Sequence, residues 1–336
     1  MRRSSYNTST WITITRKEAF EGCSATAVTR LSACLRKTRC AFRRQPPTSP
    51  LTAELLVVPA DNPSMTRFYR AIVAMLVALF SVCVATAMAS NDLKVGSDVS
   101  YAPLEFYGPG HHMQGFDVDL AQALGEHLGE PITMSNYTFD GLLRAVRSGT
   151  FDVGISAISD TRAREAQVDF VDYLLAGSGM LVPAGNPKRI FDLSGLCGLR
   201  VDVQRGTSQE TELNETSKHC TSLGLAPIKL VEFATDDQAF AAFQDGKSDV
   251  HVTDFPVVAY LAKTNDHKYE VAGRQFDLVP YGIAVPKGNA ALRARIVAAL
   301  HAVIADGTYD ALLKKWGLEQ GALRSAPVNA GTLFSK

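Results

Sequence analysis

The sequence predicts an α/β protein built as two lobes with a cleft between them. Segments with strand and helix patterns alternate along residues 90–336, which is typical of sheets covered by helices on both faces. The same strand–helix–strand–helix–strand layout occurs over 93–155 and again over 199–252, which indicates two units of related design. A Gly- and Pro-rich crossing at 182–187 lies between the two units, and the C-terminal segment is predicted to return to the first.

Apolar residues spaced four apart predict a helix over 116–128. Short apolar runs and helical periodicity predict the other elements of the first unit, which are strands over 93–97, 132–137 and 153–155 and a helix over 142–147. The second unit is predicted to contain strands over 199–203, 228–231 and 250–252 and helices over 208–219, 236–244 and 256–263. The returning segment is predicted to contain a strand over 281–285 and helices over 291–304 and 309–316.

A targeting signal begins at Met65. Arg67 and Arg70 are followed by an apolar run over 71–84 and by small residues that end at Ala89, an order typical of a secretory signal peptide. A membrane anchor is the alternative, but a run of about 14 residues is shorter than the roughly 20 needed to span a bilayer. We therefore expect a signal peptide over 65–89 that is cleaved after Ala89, and a periplasmic protein.

Residues 1–64 are rich in Ser, Thr and Arg and have no sustained helical or strand period. An organelle transit peptide has a similar composition, but we interpret this segment as a disordered upstream extension outside the mature protein. The mature chain is then predicted to form lobe 1 from 90–184 with 286–325, and lobe 2 from 185–285.

Charge and cysteine content limit the function classes. Residues 90–336 contain 22 Lys and Arg against 30 Asp and Glu, a net charge of −8, which disfavours binding to nucleic acid. This region keeps two cysteines, Cys197 and Cys220, and an even pair in an exported protein predicts one disulfide. Two buried free thiols are the alternative. The spacing of the pair matches no zinc site.

No catalytic or cofactor motif stands out. The sequence has no GxSxG around a serine and no Walker A loop, and the glycines at 108 and 110 lack the third glycine of a dinucleotide loop. His111 and His112 lie in a Gly-rich loop, where an exposed turn is a simpler interpretation than a metal site. We expect neither a cofactor nor a metal.

Three groups of polar residues are suited to holding a zwitterion. Ser156, Ser159 and Arg164 follow the predicted strand 153–155, at the position where α/β folds place ligand contacts. The turn 206–209 leads into a predicted helix, whose first N–H groups can bind an anion. Asp254 follows another strand and can accept from an ammonium group. Each feature alone has an ordinary explanation as a surface charge or a helix cap.

Six ordered stretches carry a resemblance that covers nearly the whole mature chain. They are GSDVSYAPLEF (96–106), GFDVDL (115–120), SDTRARE (159–165), DF (169–170), GTSQET (206–211) and DFPVVAYL (254–261). These stretches resemble the extracytoplasmic amino-acid-binding proteins of bacterial polar-amino-acid ABC transporters. The resemblance implies a type 2 periplasmic-binding-protein fold, in which two lobes joined by two hinge strands close on a ligand, a partner permease in the inner membrane, and a monomer.

The resemblance also implies roles for individual residues at the zwitterion. It assigns the ligand α-carboxylate to Arg164 and to the turn that contains Thr207, with the backbone N–H of Ser208 or Gln209 completing the site. It assigns the α-ammonium group to the Ser159 hydroxyl and the Ala157 carbonyl, with Asp254 as the counter-charge.

At the rest of the ligand, the resemblance places Tyr101 and Phe139 as flanking aromatic rings. It places Asp98 and Ser156, with Gln204 in reach, where side-chain selectivity is set. A carboxylate at Asp98 favours basic or amide ligands such as Arg, Lys, His or Gln over acidic ones, because like charges repel. The alternative is that Asp98 caps the turn 98–101 and faces solvent. Ala157 and Thr253 depart from the pattern of some relatives, which leaves the identity of the ligand open.

Two other function classes share the fold. Some relatives are cyclohexadienyl dehydratases, which act on prephenate or arogenate and need a general acid over the leaving group. Such an enzyme has little reason to keep an ammonium site, although arogenate is itself an amino acid. A sensor or scaffold module is the third alternative. The residues favour an amino-acid-binding protein over both.

Overall fold

The computed structural model describes residues 92–334. The predicted upstream extension, the signal peptide and its cleavage site lie outside this range. The strands are β1 (Leu93–Ser97), β2 (Phe106–Tyr107), β3 (Met113–Gln114), β4 (Ile132–Asn136), β5 (Val153–Gly154), β6 (Val168–Pro183), β7 (Arg200–Gln204), β8 (Lys229–Phe233), β9 (Val250–Asp254) and β10 (Tyr269–Pro286). The α-helices are α1 (Phe116–Leu128), α2 (Phe139–Arg147), α3 (Arg162–Glu165), α4 (Ser208–Ser222), α5 (Asp236–Gln244), α6 (Phe255–Thr264), α7 (Ala290–Ala305) and α8 (Thr308–Trp316).

Eight strands form one continuous sheet in the order β4-β1-β5-β10-β6-β9-β7-β8. The two long strands at its centre, β6 and β10, pair antiparallel with each other. On one side β4, β1 and β5 are parallel, and on the other side β9, β7 and β8 are parallel. The sheet therefore contains two parallel α/β units joined through two shared strands, which confirms the predicted fold class.

Each unit has its own apolar core. The larger cluster contains Phe116 of α1 and Leu300 of α7 together with Tyr173 and Ile283 from the two long strands. A separate cluster contains strand residues such as Val201 with Leu213 of α4. The long strands contribute to both clusters, with Tyr173 and Ile283 in the larger one and Met180 and Ala272 in the other, so they link the two lobes.

The connection between the units differs from the Gly- and Pro-rich crossing expected at 182–187. Strand β6 continues to Pro183, and the crossing consists of β6 and β10, as the resemblance implied. Their register is irregular between Ala272 and Val279. At Gly177 a Cβ atom would lie 2.5 Å from the carbonyl oxygen of Phe276, so the close approach of the strands requires glycine. The lobe boundaries at 184/185 and 285/286 stay a prediction.

Helix α2 begins at Phe139, three residues before the predicted start. Its first N–H donates to the Asp98 carboxylate at 3.3 Å, a contact between distant parts of the chain that the local pattern does not reveal. The predicted disulfide is confirmed, and it joins Cys197 to Cys220 of α4.

Within residues 92–334 no single helix is long and apolar enough to cross a membrane, although α7 and α8, bent by 77°, pass that test as a pair.

Candidate functional site

One pocket brings together all the residues predicted to bind the ligand. It encloses about 290 Å³ of atom-free space, including the part open to solvent. The lining residues are Asp98, Tyr101, Glu105, Phe139, Ser156, Ala157, Ser159, Arg164, Gln204, Thr207, Ser208, Gln209 and Asp254. Glu105 is the one member of this set that was not predicted.

The pocket lies where strands of both units end. Asp98 follows β1 and Ser156 follows β5, whereas Gln204 is the last residue of β7 and Asp254 the last of β9. The carboxyl ends of parallel strands meet at one edge of a sheet, which is where open α/β folds bind ligands. The two edges face each other across the pocket, so each unit contributes one wall.

Arg164 of α3 lies at one end of the pocket. Its guanidinium donates to the carbonyl oxygen of Ser159 at 2.9 Å and to that of Gly206 at 3.0 Å. The guanidinium carbon lies 5.4 Å from the centre of the Phe139 ring. Within residues 92–334 no carboxylate forms an ion pair with this cation, and burial lowers its pKa to about 10. The cation thus lacks a counter-charge at close range.

The first turn of α4 lies beside this guanidinium. The Thr207 hydroxyl caps the helix, since it accepts from the N–H of Glu210 and donates to the carbonyl of Gln204. The N–H groups of Ser208 and Gln209 have no acceptor among residues 92–334. Free N–H groups at the start of a helix favour a negative charge. Together with Arg164 they form a site suited to a carboxylate.

Asp254 supplies a buried carboxylate in the second wall. One oxygen accepts from the Gln209 side chain at 2.6 Å, and the other accepts from the Tyr101 hydroxyl at 2.8 Å. Tyr101 in turn accepts from the Thr253 hydroxyl at 2.7 Å. Burial raises the pKa of Asp254 to about 7. Asp254 occupies the N-cap position of α6 without capping it through its side chain, so the alternative role as a helix cap is wrong.

Asp98 lies at the other end of the pocket and is 4% exposed, so the alternative that it faces solvent is wrong. Its carboxylate accepts from the Gln204 amide at 2.6 Å, from the Ser100 hydroxyl at 3.1 Å and from the N–H of Phe139. Burial raises the pKa of Asp98 despite these bonds. The end of the pocket assigned to selectivity therefore carries a partly satisfied, buried acid.

Ser156 links Asp98 to Glu105. The Ser156 hydroxyl accepts from the N–H of Asp98 at 2.9 Å and donates to Glu105 at 2.6 Å. Glu105 is fully buried, and burial raises its pKa well above the usual range. Glu105 stands in the 96–106 stretch, but a single Glu before a short strand carries no sequence signal of this contact.

The residues assigned to the ammonium group lie between these two ends. Ala157 has a φ of 43°, an unusual value for a residue with a Cβ, and its N–H donates to Asp117 at 2.8 Å. The Ser159 hydroxyl lies 3.3 Å from the Ser208 hydroxyl across the cleft. That the Ala157 carbonyl and Ser159 bind an ammonium group stays a prediction.

Hydrogen bonds join the two walls directly. They connect Asp98 with Gln204, Tyr101 with Thr253 and Asp254, Ser159 with Ser208, and Arg164 with Gly206. Within residues 92–334 no cluster of His, Cys, Asp and Glu is arranged to hold a metal ion. His111 stacks on Tyr107 with 4.0 Å between ring centres.

Comparison with known proteins gives a consistent result. The family model of bacterial extracellular solute-binding proteins, family 3, matches residues 93–319. The arginine-binding protein ArgT of Corynebacterium glutamicum is 31% identical over 70% of this chain and 78% of that protein. The glutamine-binding protein GlnH of Bacillus subtilis is 30% identical over 62% of this chain and 75% of that protein.

Two solved structures are similar along almost their whole length. An ancestral arginine-binding protein bound to arginine has a TM-score of 0.62 and 35% identity, over 67% of this chain and 97% of the other. An ancestral amino-acid-binding protein, described as a precursor of cyclohexadienyl dehydratase, has a TM-score of 0.62 and 33% identity, over 70% and 99%. The two-lobed fold, the extent of the family match and these relatives agree, and the chain belongs to the bacterial extracellular solute-binding proteins of family 3, whose curated relatives are amino-acid-binding proteins of ABC transporters.

Proposed function

We propose that this chain captures a polar L-amino acid, basic or amide, between its lobes and delivers it to the permease of an ABC transporter in the inner membrane. It acts in the periplasm as a monomer, without a cofactor, and does not transform its ligand. The observation that carries the proposal is the guanidinium of Arg164 and the carboxyl group of Asp254 in one pocket; neither forms an ion pair within residues 92–334, and the charge of Asp254 acts on Arg164 only at longer range.

A free amino acid has the complementary charges. Its α-carboxylate pairs with Arg164 and with the N–H groups of Ser208 and Gln209, and its α-ammonium pairs with Asp254. Burying either charge of the ligand without a partner would cost several kcal/mol. Arg164 and the first turn of α4 belong to opposite walls, so both can hold one carboxylate only when the lobes are together. Ligand binding therefore favours closure of the two lobes about the hinge strands β6 and β10. The permease can distinguish the closed form from the open one.

The side-chain end favours a ligand that donates hydrogen bonds. Asp98, Glu105 and the Ser156 hydroxyl line this end, and within residues 92–334 no Lys or Arg lines it. An acidic ligand side chain would be placed beside two carboxyl groups, which is unfavourable. The names of the relatives, which include arginine- and glutamine-binding proteins, are compatible with a basic or amide ligand.

Titration calorimetry of the exported protein against the twenty common amino acids tests the proposal. We expect at least one strong 1:1 isotherm, with the tightest ligand among Arg, Lys, His and Gln. Prephenate and arogenate are incubated in parallel and analysed for product. Consumption of either compound, with no binding of any amino acid, would contradict the proposal and favour a dehydratase.

A further inference from the structure

Two buried carboxyl groups lie side by side behind the pocket. Glu105 and Asp117 of α1 are both fully buried. One oxygen of Glu105 accepts from Ser156, and one oxygen of Asp117 accepts from the Ala157 N–H and from the Tyr173 hydroxyl, each at 2.8 Å. The remaining oxygens, Oε2 of Glu105 and Oδ1 of Asp117, have no donor within residues 92–334.

A shared proton accounts for the two unpartnered oxygens. Two adjacent carboxylates in a buried site cannot both stay ionised at moderate cost, so one of them retains its proton. Burial, followed by the charge of Asp117, raises the pKa of Glu105 well above its usual range, and burial raises that of Asp117 to about 6. Both shifts favour a pair that keeps one proton between its two unpartnered oxygens.

This pair is coupled to the selectivity end of the pocket. Glu105 lines the pocket and is joined to the backbone of Asp98 through the Ser156 hydroxyl. The charged groups that act on Glu105 are Asp117 from α1 and Asp98 from the loop after β1. The neutral hydroxyls nearby are those of Ser156 and of Tyr173 on β6. Within residues 92–334 no Lys or Arg forms an ion pair with either carboxyl group of the pair, so a cationic ligand side chain would supply a positive charge that this end lacks.

We propose that an amino acid with a cationic side chain displaces the proton shared by Glu105 and Asp117 when it binds, whereas an amide ligand leaves that proton in place. This inference rests on the proposed amino-acid-binding function and adds to it a proton-coupled preference for basic ligands. The exchange keeps the charge of the pocket constant, because one positive charge enters with the ligand side chain and one H⁺ leaves to solvent. A cation near a carboxyl group favours the ionised form of that carboxyl group and lowers its pKa by about one to three pKa units.

The sign of the pH dependence follows from the proton count. If the arginine complex holds fewer protons than the free protein, the affinity for arginine rises with pH over the range in which the proton is released. The limit is about a tenfold increase per pH unit for one proton. Asp254 also titrates in this range, but it faces the α-ammonium group that arginine and glutamine share. Subtracting the proton release measured with glutamine from that measured with arginine therefore removes the contribution of Asp254.

The test measures proton release on binding. Arginine and glutamine are titrated into the protein by calorimetry at pH 6, 7 and 8, in buffers with different enthalpies of ionisation. We expect arginine to release up to about one H⁺ more than glutamine. In Glu105→Gln, the amide can still donate to Asp117 but carries no titratable proton. The extra proton release should disappear, and arginine affinity should fall about tenfold. Glu126→Gln, on the exposed surface of α1, should behave as the parent.

Two outcomes would overturn the inference without affecting the proposed function. Equal proton release for arginine and glutamine in the parent protein would show that the pair does not respond to the ligand, and this comparison needs no variant. Persistence of the extra release in Glu105→Gln would show that the proton does not come from Glu105. Failure of the parent protein to bind any amino acid would instead contradict the proposed function itself.

Discussion

The two ends of the pocket differ in how far the protein satisfies its own charges. At the first end, the guanidinium of Arg164 contacts carbonyl oxygens, and the N–H groups that begin α4 have no acceptor among residues 92–334. At the second end, Asp98 already accepts three hydrogen bonds and Ser156 both donates and accepts. In the proposed function, the first end therefore binds a charged group of the ligand, whereas the second discriminates among ligand side chains.

This difference suggests a division of labour. We propose that the end with Arg164 and Asp254 recognises the part that all amino acids share, so changes there should weaken the binding of every ligand. The end with Asp98 and Glu105 faces the part that varies, so changes there should alter the order of preference. Four experiments test whether the two ends have these separate roles.

The largest effect is expected for Arg164→Ala. Removing one partner of a charge pair that is at least partly desolvated costs about 2–5 kcal/mol, or roughly 30- to several-thousand-fold in affinity. All amino-acid ligands should be affected alike, and the melting temperature should change little because the α3 side chain lies at the cleft. The exposed neighbour Arg162 provides the matched control as Arg162→Ala. Calorimetric binding within threefold of the parent would show that the carboxylate lies elsewhere.

A smaller loss is expected for Asp254→Asn, which keeps the shape of the side chain but removes its charge. We expect about a 10- to 100-fold weaker affinity for basic and amide ligands alike. In the parent protein the pKa of Asp254 is raised to about 7. Because the ligand ammonium group binds the ionised form, affinity should fall as pH drops below about 7, and Asp254→Asn should lose this contribution.

Calorimetric affinities for glutamine between pH 5 and pH 8 measure this dependence, since glutamine has no cationic side chain. The exposed Asp266 serves as a control through Asp266→Asn. An unchanged pH profile in Asp254→Asn would contradict the assignment of Asp254 to the ammonium group.

Asp98→Asn should change selectivity more than overall affinity. Removing this carboxylate is expected to lower the affinity for arginine about tenfold, since a hydrogen bond to a charged group contributes about 1.5–3 kcal/mol. Glutamine should bind within threefold of the parent and serves as the internal control. Competition assays on the parent and the variant measure the ratio. Tightest binding of glutamate or aspartate by the parent would contradict the selectivity argument but leave the zwitterion site unaffected.

The smallest effect on affinity is expected from breaking the disulfide between Cys197 and Cys220, which lies away from both ends of the pocket. Closing a loop with a sequence separation of 23 residues should contribute roughly 3 kcal/mol to stability on the chain-entropy estimate. Reduction, or replacement of both cysteines by serine, should lower the melting temperature and leave affinity within threefold. A large loss of affinity without loss of stability would mean that α4 is positioned for the ligand by the disulfide.

Local sequence patterns predicted most of the framework and misjudged specific details. The four-residue spacing of apolar side chains correctly predicted α1, because that spacing reflects one buried helix face. The start of α2 was predicted three residues late, because Phe139 gains its place in the helix from a contact with Asp98, 41 positions away. The sequence pattern predicted only residues 281–285 of β10 and no strand at β6, since buried central strands do not alternate apolar and polar residues.

The candidate site shows the same limit more sharply. Asp98 could be assigned to selectivity by resemblance, but its exposure could not be decided without the fold, and it is buried because Gln204 reaches it from the other wall. Glu105 was missed because its significance lies in Asp117 and Ser156, which come from two other elements.

Residue types and short-range spacing were enough to predict the α/β class, the cysteine pair and candidate residues of both charges at Arg164 and Asp254. Which of these charges face the pocket, and in which direction each pKa is shifted, depends on contacts that form only in the folded chain. Tyr101 meets Asp254 across 153 positions, and Asp98 meets Gln204 across 106. Burial and hydrogen bonding at those contacts control the protonation of the acids, and neither is a property of any local stretch of the chain.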